Sequence, residues 1–234
     1  MRSITLLSLL SFSSLLSQAL AKDFSIVEFG AVRDARQLST SPIQNAINAA
    51  HGAGGGRVVI PSGVFKSGAL DLKQGVQLHL AEGAVLLGSA DIADFPTRKT
   101  RIEGKVQAWR PALINAESLS RVLVTGPGTL DGNGKPYWRA FWQRRSENPK
   151  CTNLEVERPR LMYFDNCNGV EVRDVRLKDS GFWNLHVYRC RGVLLEGLTI
   201  TAPHGDPPKI IGDEQPWDER SVDRAPSSDG IDVD

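Results

Sequence analysis

Short strand-like segments recur along this 234-residue chain at nearly regular intervals. Each begins with a valine that follows Gly or Arg, and every second residue is hydrophobic; the segments are Val76–Leu78, Val122–Val124, Val170–Val172 and Val193–Leu195. Their starting valines are separated by 46, 48 and 23 residues, which are close to multiples of 23. Strands with a period of two that recur at a fixed interval favour stacked coils over a closed sandwich.

A longer internal match supports a repeating unit. Residues 113–122 align with residues 161–170, and residues 167–170 align with residues 190–193. Two units add a second alternating segment: Val175–Leu177 and Leu198–Ile200. We therefore predict an all-β fold, a right-handed parallel β-helix with coils of about 23 residues and two or three short strands per coil. An antiparallel sandwich with accidental spacing is the alternative.

A different element precedes the coils. Ser41-Pro42 is typical of a helix N-cap and first helical position, and Ile43, Ile47 and Ala50 fall on one helix face. Glycines at 52 and 54–56 predict the helix end. Because a solenoid needs its first coil covered, we expect this N-terminal helix to cap it.

The first 21 residues have the layout of a secretory signal peptide. A basic start at Arg2 is followed by an apolar run from Ile4 to Leu16 and by small residues ending at Ala21. The apolar run is too short for a membrane anchor. We predict cleavage after Ala21, a single domain over residues 22–234 that is incomplete at its C-terminus, and a secreted protein, either extracellular or periplasmic.

The overall charge is close to neutral and indicates no partner that is bound through net charge alone. The sequence has 28 Lys plus Arg and 27 Asp plus Glu, so no basic field points to nucleic acid or to a membrane surface.

The three cysteines Cys151, Cys167 and Cys190 allow one internal disulfide with one thiol left over, or three unpaired thiols. Their spacing matches no zinc pattern.

Two further groups of motifs carry a family resemblance. Residues 28–31 and 54–65 resemble the N-terminal pattern of pectin-degrading β-helix proteins. Residues 126–134 and 158–161 narrow the resemblance to the polygalacturonase family, glycoside hydrolase family 28. The segment 180–183 is similar to the family's Ser-Pro-x-Trp, with Gly181 in place of proline. The resemblance covers roughly residues 24–234 and implies hydrolysis of α-linked galacturonate or a related pectic backbone, by a protein that is monomeric at full length.

The segment Ser227-Ser228-Asp229-Gly230-Ile231-Asp232 resembles the family's Asn-Thr-Asp-Gly-Ile-Asp, with Ser227 in place of the usual asparagine. Inverting hydrolysis needs one carboxylate to activate water and a second carboxyl group to protonate the leaving oxygen. By resemblance, Asp229 helps to activate the water. The family takes its acid from a later Asp-Asp pair, and its His-Gly and Arg-x-Lys segments also come later. None of these follows here, so we expect residues 22–234 alone to be inactive. We also expect them to be poorly soluble, because the last coil would be left uncovered with unpaired strand edges.

The local spacing supplies a rival to Asp229. If a strand starts after Gly230, Ile231 and Val233 face the core, whereas Asp232 and Asp234 face outward. Asp229 then lies in the turn that enters the strand. On spacing alone Asp232 is therefore also a catalytic candidate.

Other candidates have ordinary structural explanations as well. His186 is a candidate substrate-binding residue that would line the groove, although a lone histidine also serves structural roles. Trp138 and Trp142 could stack on sugar rings or pack under a loop. Asp131-Gly132 fits a tight turn better than a catalytic site. The proline-rich stretch from Ala202 to Pro226 predicts a long loop that walls one end of the groove and favours chain-end cleavage.

Two other functional classes are consistent with a β-helix. A calcium-dependent polysaccharide lyase would work by β-elimination and leave an unsaturated product end. A non-catalytic β-helix would bind pectic polysaccharide without turnover. For the hydrolase we expect neither a metal nor an organic cofactor.

Overall fold

A computed structural model describes residues 22–203 and 224–234. A first strand, β1 (Asp23–Ser25), precedes five coils. The strands of the coils are, in chain order, β2 (Gly56–Ile60), β3 (Gly63–Ser67) and β4 (Leu70–Asp71); β5 (Val76–Leu80), β6 (Ala84–Gly88) and β9 (Ile114–Glu117); β10 (Ser120–Thr125), β11 (Thr129–Asp131) and β12 (Met162–Asp165); β13 (Asn168–Arg173), β14 (Arg176–Lys178) and β15 (Leu185–Tyr188); β16 (Arg191–Glu196), β17 (Thr199–Thr201) and β18 (Ile231–Val233).

Equivalent strands of successive coils pair in parallel and form three sheets. Sheet A holds the first strand of every coil, sheet B the second and sheet C the third. The repeat predicted this arrangement: Val170 lies beside both Val122 and Val193, and Ile114 beside Met162. The chain is thus a parallel β-helix, and the antiparallel sandwich is ruled out for the described residues.

The predicted coil length needs a correction. Gln77 lies beside Leu123, and Leu123 lies beside Glu171, so the 46- and 48-residue intervals are each one coil. The interpretation of these intervals as multiples of 23 is wrong, because each is a coil enlarged by an insertion. The interval from Val170 to Val193 is a single coil of 23 residues.

Insertions occur at one corner of the coil, after a sheet B strand and before a sheet C strand. The second coil carries an antiparallel hairpin, β7 (Arg98–Ile102) and β8 (Lys105–Trp109), and the third carries helix α2 (Lys135–Glu147). The fifth coil has residues 202–230 at the same corner, and 204–223 of these lie outside the described residues. Added chain at a loop is tolerated because it leaves the stacked ladders intact. All three insertions therefore emerge beside sheet C.

The core consists of stacked hydrophobic side chains inside the coils. Leu86, Leu130 and Leu177 lie side by side in sheet B and are fully buried. Each such side chain contributes on the order of 1.5–3 kcal/mol relative to an exposed one. The alternation of the sequence thus places every second strand residue in one continuous core.

Helix α1 (Thr40–Gly52) lies at the N-terminal end of the coils, as expected of a cap. Ile43, Ile47 and Ala50 are buried against the core, and the helix ends at Gly52, as predicted. The predicted start at Ser41 is wrong by two positions. The N-cap is Ser39, because its carbonyl oxygen accepts the first helical hydrogen bond from the Ile43 N–H at 3.0 Å.

At the other end, the inward side chains of the fifth coil are exposed. Ile231 and Val233 align with buried Leu185 and Val187, which confirms that they point inward. They are nevertheless 46% and 78% exposed, since no further strand stacks on β18 among the described residues. The predicted signal peptide, residues 1–21, lies outside the described part of the chain. Within that part, no helix is long and apolar enough to cross a membrane.

Candidate active site

A row of side chains runs along the outer face of sheet C. The register places Asp71, Asn115, Tyr163, His186 and Asp232 side by side, one from each coil. Since successive residues of a strand point to opposite sides, this row faces away from the core. Asp232 therefore points outward, as its spacing predicts, and its neighbour in the row is His186.

Asp229 lies in the turn that enters β18, and its side chain is exposed. A buried amide holds the backbone of this turn: Nδ2 of Asn184 donates to the carbonyl oxygens of Ser228 and Asp229, each at 3.2 Å. The backbone N–H of Asn184 also donates to the Asp229 carbonyl at 2.9 Å. The turn is thus fixed through its main chain, and the carboxylate remains open to solvent.

Asn184 was not among the residues that the sequence singled out. It directly follows the Ser180–Trp183 segment, and its position next to this family-like motif was the signal that could have identified it. That segment is itself ordered, because Ser180 Oγ donates to the Trp183 carbonyl oxygen at 2.9 Å. The motif and the amide together connect the fourth coil to the Asp229 turn.

Ser227 has a hydrogen-bond partner although it replaces the family's asparagine. Its hydroxyl donates to Asn153 Oδ1 at 3.0 Å, and its φ of 52° places it in the left-handed region. Just before it, buried Arg158 donates from Nη1 to the Pro226 carbonyl oxygen at 2.9 Å. The entry to the Asp229 turn is therefore anchored to the insertion of the third coil.

Three carboxylates are concentrated around β18. The pKa of Asp232 is raised, first by partial burial and then by the negative charges of Asp229 and Asp234, with Arg160 acting in the opposite direction. The pKa of Asp234 is lowered, chiefly because Arg101 donates to both of its oxygens at 2.6 and 2.9 Å. Asp232 is thus the carboxyl group whose ionisation its surroundings oppose.

His186 has the predicted position but its ring is 1% exposed. Nη1 of Arg160 donates to its Nδ1 at 2.7 Å, and the rings of Tyr163 and Trp183 lie 5.0 Å away, centroid to centroid. Burial, followed by the charge of Arg160, lowers the pKa of His186 to about 4. In this conformation the ring reaches substrate only if the side chains above it move, and its role in binding stays a prediction.

The two candidate tryptophans are packed away from the surface. Trp138 and Trp142 are 2% and 6% exposed, in a cluster with Phe141 and Cys151. The indole N–H of Trp138 donates to the Ser180 carbonyl oxygen at 2.8 Å. Packing under a loop, one of the two predicted alternatives, is therefore what the structure shows.

The three cysteines are unpaired, the second of the two alternatives that the odd count allowed.

In the described part of the chain, no group of three or more His, Cys, Asp or Glu side chains is arranged to hold a metal ion. The candidate site consists of Asp229 and Asp232, at the β18 edge of sheet C.

The family model of glycosyl hydrolases family 28 matches residues 54–234. The chain belongs to this family. It is 38% identical over 138 residues to an exo-poly-alpha-D-galacturonosidase from Dickeya chrysanthemi, covering 55% of this chain and 21% of that protein. It is 30% identical over 196 residues to an exopolygalacturonase from Zea mays, covering 81% and 42%. The chain thus spans less than half the length of these curated relatives.

The fold is shared with solved members of the family. The family 28 exopolygalacturonase of Yersinia enterocolitica superposes with a TM-score of 0.71 at 23% identity, over 91% of this chain and 41% of that one. The exopolygalacturonase of Thermotoga maritima gives a TM-score of 0.68 at 23% identity, over 77% and 47%. The predicted right-handed parallel β-helix is therefore confirmed.

Proposed function

We propose that this chain is part of the catalytic domain, here residues 22–234, of a polygalacturonase that hydrolyses α-linked galacturonate or a related pectic backbone. The observation that supports this is the placement of Asp229, exposed at a turn fixed by Asn184, beside outward-facing Asp232 in a family 28 β-helix. The signal-peptide pattern of residues 1–21 supports export of the enzyme to its polysaccharide substrate.

In the proposed reaction, Asp229 takes a proton from the attacking water, and Asp232 is the alternative base. The second carboxyl group must protonate the leaving oxygen from the opposite side of the bond. We assign that acid to a carboxyl group outside this sequence, because the sequence has no Asp-Asp pair of the kind the family resemblance implies. The cleaved bond then yields a new reducing end, with inversion at the anomeric carbon.

The two carboxylates differ in their surroundings. With Asp229 ionised beside it, a proton on Asp232 would relieve the repulsion that burial intensifies. Asp229 is exposed and is therefore the carboxylate that we assign to the attacking water, with Asp232 beside it in a partly buried position.

Product analysis of the full-length protein on polygalacturonate tests the proposal. We expect new reducing ends without the ultraviolet absorbance of an unsaturated sugar, and D229N to lower the rate roughly 10²- to 10⁴-fold, as for loss of a general base. The matched control is D23N, since Asp23 is an exposed carboxylate that pairs with Arg57 in sheet A. Unsaturated products would instead indicate a lyase, and binding without turnover a non-catalytic protein.

A further inference from the structure

The β7–β8 hairpin lies along the outer face of sheet C. At its start, Nη1 of Arg98 donates to Oδ1 of Asp71 in the first coil at 2.7 Å. In the middle of β7, Oγ1 of Thr100 accepts a hydrogen bond at 2.8 Å from Arg160, which lies just before the third-coil strand β12. Near the end of β7, Arg101 donates to both carboxylate oxygens of Asp234 in the fifth coil. With coils about 4.8 Å apart, strand β7 therefore runs along the solenoid axis, and its long side chains reach from the first coil to the fifth.

The hairpin is also packed, not merely tethered. Ile102 and Trp109 are 0% and 5% exposed, in a cluster with Phe182. Arg101 additionally stacks over the ring of Tyr188, with its guanidinium carbon 4.9 Å from the ring centroid. Apolar burial at the strand ends and ion pairs along β7 thus hold the hairpin against the sheet.

The hairpin accounts for the unusual burial of the outward-facing row. Side chains on the outer face of a solenoid sheet normally meet solvent, yet Asn115, Tyr163 and His186 are 5%, 7% and 1% exposed. Between β7 and the sheet there remains a cavity of about 220 Å³, lined among others by Thr100, Asn115 and Tyr163. That volume is below the roughly 300–1,000 Å³ typical of ligand sites, so it has no room for a run of sugars.

The open part of the row begins only at β18. Asp229 is exposed and Asp232 half-buried, whereas the next position, His186, is covered. A polysaccharide that reaches Asp229 therefore cannot continue over β15, β12 and β9. We propose that the β7–β8 hairpin is an end stop that confines the enzyme to cleavage from a chain end. This inference rests on the proposed function.

The end stop differs from the one that the sequence predicted. The loop from Ala202 to Pro226 was expected to wall the groove, and most of it lies outside the described residues. The hairpin belongs to the second coil instead, and its contacts reach Asp234, 133 residues further along the chain. Both segments are insertions at the same corner but belong to different coils. Mutating one of them therefore separates the two assignments.

The first test needs only the wild-type full-length protein. Long oligogalacturonides are prepared with free ends and with a bulky group on both ends, and hydrolysis of each is followed. An end stop predicts that free oligomers release short end fragments from the start and that doubly blocked oligomers are not cleaved. Cleavage of the blocked oligomers, or mid-length fragments among the first products of the free ones, overturns the inference. Failure to hydrolyse either substrate would instead overturn the proposed function.

The second test assigns the stop to the hairpin. The R98A/R101A variant loses the ion pairs at both ends of β7, and we expect it to cleave doubly blocked oligomers. The control R57A/R144A loses two surface ion pairs elsewhere and should leave the blocked oligomers intact. Thermal unfolding establishes that each variant is folded. Because Ile102 and Trp109 still pack against Phe182, limited proteolysis between residues 98 and 109 establishes that the hairpin of R98A/R101A is released. A folded variant with a released hairpin that still hydrolyses only free ends would overturn the assignment to the hairpin.

Discussion

Arg160 and His186 form a buried pair in which the arginine fixes the state of the histidine. Nη1 of Arg160 lies 2.7 Å from Nδ1 of His186, and arginine can only donate. Nδ1 is therefore the unprotonated nitrogen, and Nε2 carries the proton, 4.0 Å from Oδ2 of Asp234. A second proton would have to enter between the ring and the guanidinium. Burial of the ring and this neighbouring charge together lower the pKa of His186, and burial is the larger cause.

The pair predicts a specific loss of stability in acid. The pKa of His186 is about 4 in the folded state against 6.5 for the free side chain, so the unfolded chain binds more protons between these values. The free energy of unfolding should therefore fall as pH is lowered from 6.5 towards 4, by up to about 3 kcal/mol at roughly 1.4 kcal/mol per pKa unit. Urea unfolding across this range measures it.

The H186Q variant isolates this effect, because an amide oxygen can accept from Arg160 but does not titrate. We expect a shallower decline of the unfolding free energy in H186Q than in the wild type. The control H51Q changes an exposed histidine at the end of helix α1 and should follow the wild-type profile. Parallel profiles for H186Q and the wild type would contradict the prediction.

Replacing Arg160 by lysine should be costly. Arg160 is 1% exposed and donates to Thr100, to the Arg101 carbonyl oxygen and to His186, and lysine cannot reproduce that planar fork. Leaving one or more of these buried acceptors unpaired costs about 1–3 kcal/mol each. Urea unfolding of R160K at neutral pH measures the loss.

The matched control is R189K. Arg189 pairs with Asp165, but its side chain is 56% exposed, so the same substitution should cost less than about 1 kcal/mol. Equal losses for R160K and R189K would show that the buried fork adds nothing beyond charge.

The ladder of strands was predictable because each strand carries its own signal. Hydrophobic residues at every second position define a strand, and their recurrence from Val122 to Val170 to Val193 defines the stacking. Asp232 could be placed outward by the same rule. The rule failed for the coil length because the spacing alone does not distinguish two coils from one coil with an insertion.

The position of the β7–β8 hairpin against sheet C could not be predicted in this way. Arg101 meets Asp234 across 133 residues, and nothing in the local sequence of either residue indicates the other. Asn184 was missed, and Arg160 was noted only as part of the 158–161 motif, for a related reason: a buried polar side chain is defined by its partners, and those partners belong to other coils. His186 was placed on the correct face, but its burial depends on the hairpin above it.

Gly126 should not tolerate a side chain. Its φ of 103° lies in the left-handed region, and a Cβ there would overlap the carbonyl oxygen of Leu80 in the neighbouring coil. Because that oxygen belongs to the backbone and accepts from the Gly128 N–H, it cannot move aside freely. We expect G126A to lower the free energy of unfolding by roughly 1–3 kcal/mol or more.

A second glycine separates the cost of backbone strain from the cost of a steric clash. Gly104, at the tip of the β7–β8 hairpin, has a φ of 75°, and no other residue lies within 4 Å of the point that a Cβ would occupy. G104A should therefore cost only the backbone strain, about 1–2 kcal/mol. If both variants lose the same stability in urea unfolding, the predicted collision with Leu80 is absent.

The order in which the thiols react tests the unpaired state of the cysteines. Cys151 and Cys167 are 3% and 1% exposed, whereas Cys190 is partly exposed. Hydrogen bonds from Cys167, including its backbone N–H at 3.3 Å from the sulfur, lower the pKa of Cys190, while burial raises the pKa of Cys151. Since the thiolate is the nucleophile, Cys190 should be alkylated first in the folded protein, as followed by mass spectrometry of its peptides. Denaturation without reductant should then make all three thiols reactive. A single reactive thiol under those conditions would instead show the disulfide that the odd cysteine count allows, and early alkylation of Cys151 would contradict its burial beside Trp138.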